Sequence, residues 1–142
     1  MNIYRVNEVW QLALVYEVRR QTLLNGVKPK SSLEFDEDYG KLYNYLLMEE
    51  DDIGIGTLRV NCDHKDYGKI ERVSIIPCQQ GKGLGGQLLK EAEKWIKELG
   101  YNKIIVYSFE PAVPFYLKCG YMVDDSKHVE SSIPQVVMYK NI

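Results

Sequence analysis

The spacing of apolar residues along the chain predicts two long helices. Residues 8–24 and 84–99 repeat apolar positions every three or four residues, which is the period of an amphipathic helix. Asn7 is a suitable N-cap for the first helix, and Gly100 is a suitable C-cap for the second. The second pattern is the clearer one, because its apolar positions share one face: Leu84, Leu88, Leu89, Ala92, Trp95, Ile96 and Leu99.

Shorter apolar runs bounded by turn residues predict strands. Pro77 ends one of them, because proline cannot donate to a β-ladder, and the sequence EEDD predicts a polar hairpin turn between two others. Glycine and proline indicate a loop at 25–32, and a short helix is predicted over 111–120. The predicted strands lie at 3–6, 42–49, 53–62, 69–76, 103–109, 121–123 and 135–140.

This order of elements predicts one α/β domain over residues 1–142. The sheet is expected to be mixed but largely antiparallel, and to be flanked by helices. Only the stretch 69–109 has the strand-helix-strand order of a parallel crossover. No internal repeat, low-complexity tract or linker interrupts the pattern.

Composition narrows the classes of function. The 142 residues are 45% hydrophobic and 27% charged, as is typical of a globular domain. A net charge of −2 argues against broad affinity for nucleic acid, which needs a clustered basic surface. No run reaches the roughly 18 apolar residues of a membrane span. The N-terminal segment carries Arg5 and Glu8 where a signal peptide would need its apolar segment. We therefore expect a cytoplasmic protein without a membrane partner.

The three cysteines predict neither a disulfide framework nor a metal site. Cys62, Cys78 and Cys119 are odd in number and well separated in sequence. Cys62 and His64 could supply two metal ligands, whereas a site needs three or four at characteristic spacings. We therefore expect buried or half-buried thiols and no metal.

A cluster of four glycines predicts an anion-binding turn. Gly81, Gly83, Gly85 and Gly86 lie between a strand that ends in proline and the start of a helix. A helix N-terminus presents unpaired N–H groups and a partial positive charge, and glycines let a ligand approach the main chain. A tight strand-to-helix connection without a ligand is the structural alternative.

Three sequence patterns compete for these glycines. The phosphate-binding loop of nucleotide hydrolases fits Gly81 and Gly86 in spacing, but Gln87 and Leu88 replace its lysine and its serine or threonine. A dinucleotide fingerprint matches Gly81, Gly83 and Gly86, which would indicate a nucleotide-binding oxidoreductase. Four residues separate the strand from the first glycine and only one crossover is present, so this alternative is disfavoured. The third pattern is Q-x-x-G-x-G opening a helix.

The segment 71–123 resembles the acyl-CoA-binding core of the GNAT superfamily of N-acyltransferases. The resemblance rests on the strand ending in proline, the turn QGKGLGG and the downstream sequence PFYLKCGY. The sequence AVPFYLKCGY followed by IPQVVM is similar to a subgroup of small bacterial members, many of which lack an assigned substrate. The preceding strands and the first helix also fit the fold of this family.

The resemblance implies acetyl-CoA as the co-substrate. Backbone amides of the turn would hold the CoA pyrophosphate, with Lys82 pointing to solvent, and the strand before it would pair with the pantetheine arm as an added strand. This requires the strand to splay from its parallel neighbour at 103–107. The implied cofactor-binding residues are Val73, Ser74, Ile75, Gln80, Gly81, Lys82, Gly83, Leu84, Gly85 and Gly86.

The same resemblance implies that Tyr116 is the general acid that protonates the departing thiolate. By composition alone, Tyr116 would be one of 11 tyrosines and a packing residue. Cys119 lies one turn away, but direct transfer needs no covalent intermediate, so we interpret it as structural. Tyr116 argues for an enzyme against the remaining alternative, a non-catalytic acyl-CoA-binding module.

The general base and the acceptor are less defined by the sequence. Strand alternation places Glu71, Val73 and Ile75 on one face of the strand and Arg72, Ser74 and Ile76 on the other. Arg72 occupies the position where some relatives carry a carboxylate. We therefore expect a water chain, or an acceptor amine of low pKa. Arg59 and Arg72 are candidates to bind an anionic part of the substrate, or are ion-paired arginines. Glu71 is the third candidate residue of the substrate site. The acids at 34–38 would attract a cationic substrate, or form a solvated turn.

Two positions depart from the family pattern, Phe109 and Gln135, and both would change the polar groups around the reacting atoms. The expected function is transfer of an acetyl group from acetyl-CoA to a primary amine of a small molecule or peptide. A homodimer is compatible with this expectation.

Overall fold

The computed structural model describes residues 1–22, 31–131 and 133–142. Within these ranges seven strands form one sheet in the order β1-β2-β3-β4-β5-β7-β6, and neighbouring strands are antiparallel except for the pair β4 and β5. The expected α/β fold with a mixed, largely antiparallel sheet is confirmed. The elements are β1 (Asn2–Arg5), α1 (Val9–Gln21), α2 (Ser31–Glu34), β2 (Asn44–Glu50), β3 (Ile53–Asn61), β4 (Gly68–Ile75), α3 (Leu84–Glu98), β5 (Lys103–Phe109), α4 (Val113–Lys118), β6 (Met122–Val123) and β7 (Gln135–Asn141).

The helices α1 and α3 pack on opposite faces of the sheet. Leu46 and Met48 of β2 join the main core, to which α3 contributes Leu88 and Leu89. Tyr45 and Leu47 alternate with them and pack instead against α1, in a second cluster around Val15. Alternate side chains of a strand point to opposite faces, so β2 is buried on both.

The start of α1 differs from the sequence-based prediction. The cap is Glu8 and not Asn7, because Gln11 folds back and accepts hydrogen bonds from both backbone amides, at 2.8 Å from Asn7 and 3.0 Å from Glu8. The helix ends at Gln21, with Thr22 already extended. Most of the predicted loop at 25–32 lies outside the described residues, and Ser31 already belongs to α2.

The strands β4 and β5 separate after a short stretch of pairing. Their parallel ladder joins only Gly68, Lys69 and Ile70 of β4 to residues 104–106 of β5. A β-bulge follows at once, in which Arg72 and Val73 together oppose the single residue Leu58 of β3. Arg72 takes a positive φ of 54°, and a bulge of this kind bends its strand. The expected splayed strand pair is therefore confirmed, and the bulge is its cause.

Candidate active site

The glycine turn places uncommitted backbone amides at the start of α3. Gly81 and Gly83 both have φ of +77°, a conformation that side chains with a Cβ rarely adopt. Gly83 is the N-cap, and its carbonyl accepts the first helical hydrogen bond from Gln87 at 3.3 Å. The amides of the first turn of a helix have no partner within it, so they are available to an anion.

Side chains fix this turn to its surroundings. The Gln80 Nε2 group donates to the carbonyl oxygen of Ile75 at 2.9 Å, which ties the turn to the end of β4. A Cβ on Gly85 would lie 3.0 Å from the ring of Phe115, so glycine here permits α4 to approach α3 closely. Lys82 is exposed and donates to Gln79 at 3.1 Å, in agreement with the expectation that it faces solvent.

The opening between β4 and β5 holds a cavity of about 390 Å³. Among the strands that the structure describes, none pairs with the β5-facing main-chain groups of Val73, Ser74 and Ile75, because pairing with β5 stops at Ile70. An extended ligand with its own amide groups could satisfy them. The cavity brings together eight of the residues singled out from the sequence: Arg59, Glu71, Arg72, Val73, Ser74, Ile75, Gln80 and Tyr116. The glycines themselves do not line it but follow directly from Gln80.

Tyr116 is buried in α4 at the wall of this cavity, with 6% of its surface exposed. Its ring packs edge-on against Phe115 and Tyr121, at centroid distances of 5.0 and 5.7 Å. Burial raises the pKa of the Tyr116 hydroxyl well above its ordinary value, because the phenolate would lose its hydration. The hydroxyl is therefore protonated at neutral pH, as a proton donor must be.

Cys119 is not an activated nucleophile. Burial raises the pKa of its thiol, the nearby Glu93 carboxylate adds to this effect, and Lys140 and Lys90 oppose it. A nucleophilic cysteine needs the opposite shift, toward the thiolate. The sequence-based interpretation of Cys119 as structural agrees with this environment.

A network of arginines and carboxylates forms one side of the cavity. Arg59, only 7% exposed in its side chain, pairs with Asp36 at 2.8 Å, with Glu37 at 2.7 Å and with Glu71 at 2.7 Å. The fully buried Arg19 of α1 joins it through ion pairs with Glu34 and Glu37.

This network changes two of the sequence-based interpretations. Three of the four acids at 34–38 are paired with arginines, so they are neither a solvated turn nor a free attractant for a cationic substrate. Arg59 is ion-paired and buried, with its guanidinium already engaged by three carboxylates. Its expected role in binding an anionic substrate group is therefore not supported.

Glu71 is poorly suited to act as a general base. Burial alone would raise the pKa of its carboxyl group, but the charges of Arg59 and Lys69, with hydrogen bonds from Arg59 and Asn61, outweigh burial and lower it. A carboxylate of lowered pKa that is already paired has little tendency to take a proton.

The bulge also corrects the assignment of strand faces. Simple alternation predicted that Glu71 and Ser74 point to opposite faces of β4. In the structure Glu71 lies opposite Arg59 and Ser74 lies opposite Thr57, two β3 residues that share a face. The extra residue at Arg72 shifts the alternation by one position, so Glu71 and Ser74 share a face as well.

Sequence reasoning missed several residues of the cavity. Ser108 is buried in β5 beside Phe109, and Lys69 lies over the ring of Tyr107 at 3.7 Å. The predicted parallel crossover was the signal that could have found them, because it places the ends of both strands at one opening. The two departures from the family pattern, Phe109 and Gln135, also line the cavity.

Gly83→Val should lower both the stability of the protein and its affinity for CoA, and comparison with a control variant separates the two effects. The positive φ makes any Cβ residue costly by about 1–2 kcal/mol, and the branched side chain would stand at the amides of the turn. We expect affinity for CoA, measured by calorimetry, to fall about tenfold or more, the scale of lost hydrogen bonds to a charged group.

Gly100→Val is the matched control, since Gly100 has φ of +98° and open space around it at the far end of α3. It should lose similar stability and keep its CoA affinity. Unchanged affinity in Gly83→Val would place the phosphates elsewhere.

The described residues contain neither a metal-binding cluster nor a membrane-spanning helix. Residues 1–22, 31–131 and 133–142 contain no group of three or more histidine, cysteine or acidic side chains arranged to hold a metal. Within the same ranges, no helix has both the length and the apolar character needed to cross a membrane.

Comparison with known proteins identifies the family of this chain. Relatives in Bacillus subtilis include the uncharacterized N-acetyltransferase YjcF, 29% identical over 92% of this chain and 93% of YjcF, and the uncharacterized protein YyaT, 27% identical over 100% and 97%. A Lactobacillus plantarum protein proposed to be an N-acetyltransferase has a crystal structure that superposes with a TM-score of 0.88, at 26% identity over 99% of this chain and 97% of that one.

A GNAT family acetyltransferase from Elizabethkingia anophelis, solved with acetyl-CoA bound, shares the fold at a TM-score of 0.77 and 15% identity, over 99% of this chain and 97% of its own. The family description "Acetyltransferase (GNAT) domain" matches residues 17–142, which is most of the chain. The expectation of an acyl-CoA-dependent N-acetyltransferase is confirmed at the level of the family. The chain belongs to the GNAT family of acetyltransferases.

Proposed function

We propose that residues 1–142 form one N-acetyltransferase domain that transfers an acetyl group from acetyl-CoA to the primary amine of a small molecule or peptide. The observation that carries this proposal is the opening between β4 and β5. It combines main-chain groups of β4 that no described strand pairs with, a glycine turn at the start of a helix and a buried, protonated tyrosine on its wall.

The chain offers a fitting site for acetyl-CoA. The amides from Gln80 to Gly86 would hold the pyrophosphate, and Val73, Ser74 and Ile75 would pair with the pantetheine arm. The Ile75 carbonyl oxygen already accepts one hydrogen bond from Gln80, so its second lone pair would serve the ligand. Bound acetyl-CoA supplies the thioester whose acetyl group passes to the amine.

Tyr116 is proposed to donate a proton to the departing thiolate. A tyrosine hydroxyl can do this only in its protonated form, which burial favours here. Cys119 takes no part, because attack by the amine on the thioester carbonyl needs no acyl-enzyme.

The amine must lose its proton before it attacks, since an alkyl ammonium has a reference pKa of about 10.4. Glu71 is paired and of lowered pKa, so the chain is proposed to rely on water in the cavity, or on an amine of low pKa, rather than on a carboxylate base.

The test is a panel of amines and short peptides with acetyl-CoA, in which release of the free CoA thiol is measured. Acetylated product must be identified by mass spectrometry, so that thioester hydrolysis is not mistaken for transfer. Stoichiometric product from at least one amine is the expected result. CoA binding without any product would instead favour the non-catalytic acyl-CoA-binding module.

Acetyl-CoA should also stabilise the protein against heat. A ligand that binds only the native state, at about 100 times its dissociation constant, adds about 2.7 kcal/mol to the free energy of unfolding. We expect a clear rise in Tm with acetyl-CoA and a much smaller one with NAD or ATP. An equal rise with NAD would overturn the assignment of the glycine turn to CoA.

A further inference from the structure

The charges around the cavity are almost completely paired. Asp36 is bound by Arg59 and Arg72, and Glu71 is bound by Arg59 and Lys69. Lys69 in turn is held between Glu71 and the ring of Tyr107. A buried polar atom without a hydrogen-bond partner is costly, so an unused donor in this network calls for an explanation.

Arg72 has more unused donors than the other two arginines of this network, Arg19 and Arg59, among the hydrogen bonds that the structure describes. A guanidinium has five N–H donors, whereas Arg72 makes one described ion pair, from Nη2 to Asp36 at 3.1 Å. Its Nε atom is buried, and no group among the residues that the structure describes accepts a hydrogen bond from it. The residue sits in the bulge with a strained φ of 54°, and such strain persists where the surrounding structure requires it.

An anion at Arg72 would not be a CoA phosphate. The residue precedes Val73–Ile75, the segment proposed to pair with pantetheine, whereas the glycine turn proposed to hold the phosphates follows it. Arg72 therefore lies toward the reacting end of the ligand, in the same cavity as Tyr116. The acceptor is the other molecule that must enter this end.

We propose that Arg72 binds a carboxylate of the acceptor, so that the preferred acceptors are small amino-acid-like molecules that carry an anionic group beside the reacting amine. This inference rests on the proposed acetyl transfer. The planar fork of an arginine matches a carboxylate in shape and charge.

The test compares each common L-amino acid with its own α-carboxamide, using acetyl-CoA and thiol release. The carboxamide keeps the amine and removes the charge. It also lowers the amine pKa, so amine reactivity alone would favour the amide. We expect kcat/KM to be higher for the acids by roughly tenfold or more, the scale of a hydrogen bond between charged groups. Aspartate and glutamate carboxamides show whether a side-chain carboxylate serves as well as an α-carboxylate.

Arg72→Asn is the informative variant, because asparagine tolerates a positive φ but is too short to replace the guanidinium. It should lower kcat/KM for the acids about tenfold or more and leave the amides nearly unchanged. Arg72→Lys, which keeps the charge without the fork, should restore part of the preference. Arg5→Gln is the control, since Arg5 pairs with Glu98 on the surface and should leave the preference intact.

A binding measurement separates this inference from the proposed reaction. With CoA present, an acid should raise Tm more than its amide in the wild type but not in Arg72→Asn. A larger rise in Tm with the acid, without any turnover, would support binding of the carboxylate by Arg72 and overturn the proposed acetyl transfer. Equal kcat/KM for acids and amides would overturn the role of Arg72 and leave the transfer standing. No turnover and no difference in Tm would overturn both.

Discussion

Tyr116→Phe should lower kcat by about 100-fold or more, the usual scale of general acid catalysis, with an acceptor found in the amine panel. The change removes one hydroxyl group and keeps the ring that packs against Phe115 and Tyr121. KM for acetyl-CoA should change little, because the cofactor is held by the main chain of β4 and the glycine turn.

The pH dependence provides a second measurement. Burial raises the pKa of Tyr116, so its hydroxyl stays protonated beyond the ordinary tyrosine pKa of about 10. If this hydroxyl is the acid, any loss of kcat caused by its ionisation must lie above that value. A tyrosine-dependent loss of rate near neutral pH would contradict the assignment.

Tyr121→Phe is the matched control for this experiment. Tyr121 is also buried and its ring contacts Tyr116, but its hydroxyl donates to Glu93 at 3.2 Å and the residue does not line the cavity. Its loss should reduce stability and leave kcat nearly unchanged. Wild-type kcat in Tyr116→Phe would show that Tyr116 is a packing residue, while the binding of acetyl-CoA would still stand.

The sequence predicted those parts of the site whose conformation depends on neighbouring residues of the chain. The α3 helix begins and ends within one residue of its predicted bounds, because a strong apolar period and flanking glycines define it. The glycine turn could also be located from the sequence, because Gly81 and Gly83 adopt a positive φ that glycine tolerates more readily than other residues. The end of β4 before Pro77 could be predicted in the same way, from proline's inability to donate to a β-ladder.

The bulge at Arg72 could not be predicted in this way. An arginine carries no local signal for a positive φ, and its conformation follows from how β4 pairs with β3 on one side and leaves β5 on the other. The error in assigning the faces of Glu71 and Ser74 has this single cause. The resemblance to a family indicated that the strands splay, but not which residue produces the splay.

The charge network was also beyond sequence reasoning, because its members are brought together only by the tertiary structure. Arg19 lies in α1, Glu34 in α2, Arg59 in β3 and Glu71 in β4. In sequence, the acids at 34–38 looked like a solvated turn or a substrate attractant. Buried arginines need carboxylate partners, so the acids at 34–38 are accounted for once the tertiary structure shows the arginines beside them.

Arg59→Met should lower the free energy of unfolding by about 3–5 kcal/mol, as when one partner of a buried ion pair is removed. Methionine fills part of the volume but leaves Asp36, Glu37 and Glu71 without their shared cation. Arg5→Met is the matched control. Arg5 pairs with Glu98 at 2.7 Å, but both side chains are nearly half exposed, so the loss should stay within about 1 kcal/mol.

The loss of unfolding free energy caused by Arg59→Met should become smaller as the pH falls. Burial alone would raise the pKa values of Asp36, Glu37 and Glu71, but their arginine partners outweigh it and lower all three. Groups of lowered pKa stabilise the fold above their unfolded pKa, near 4, and lose that contribution as acid protonates them. Urea unfolding at pH 7 and near pH 3 should therefore show a larger difference between wild type and Arg59→Met at pH 7. An equal difference at both values would mean that Arg59 stabilises the fold by packing rather than by charge.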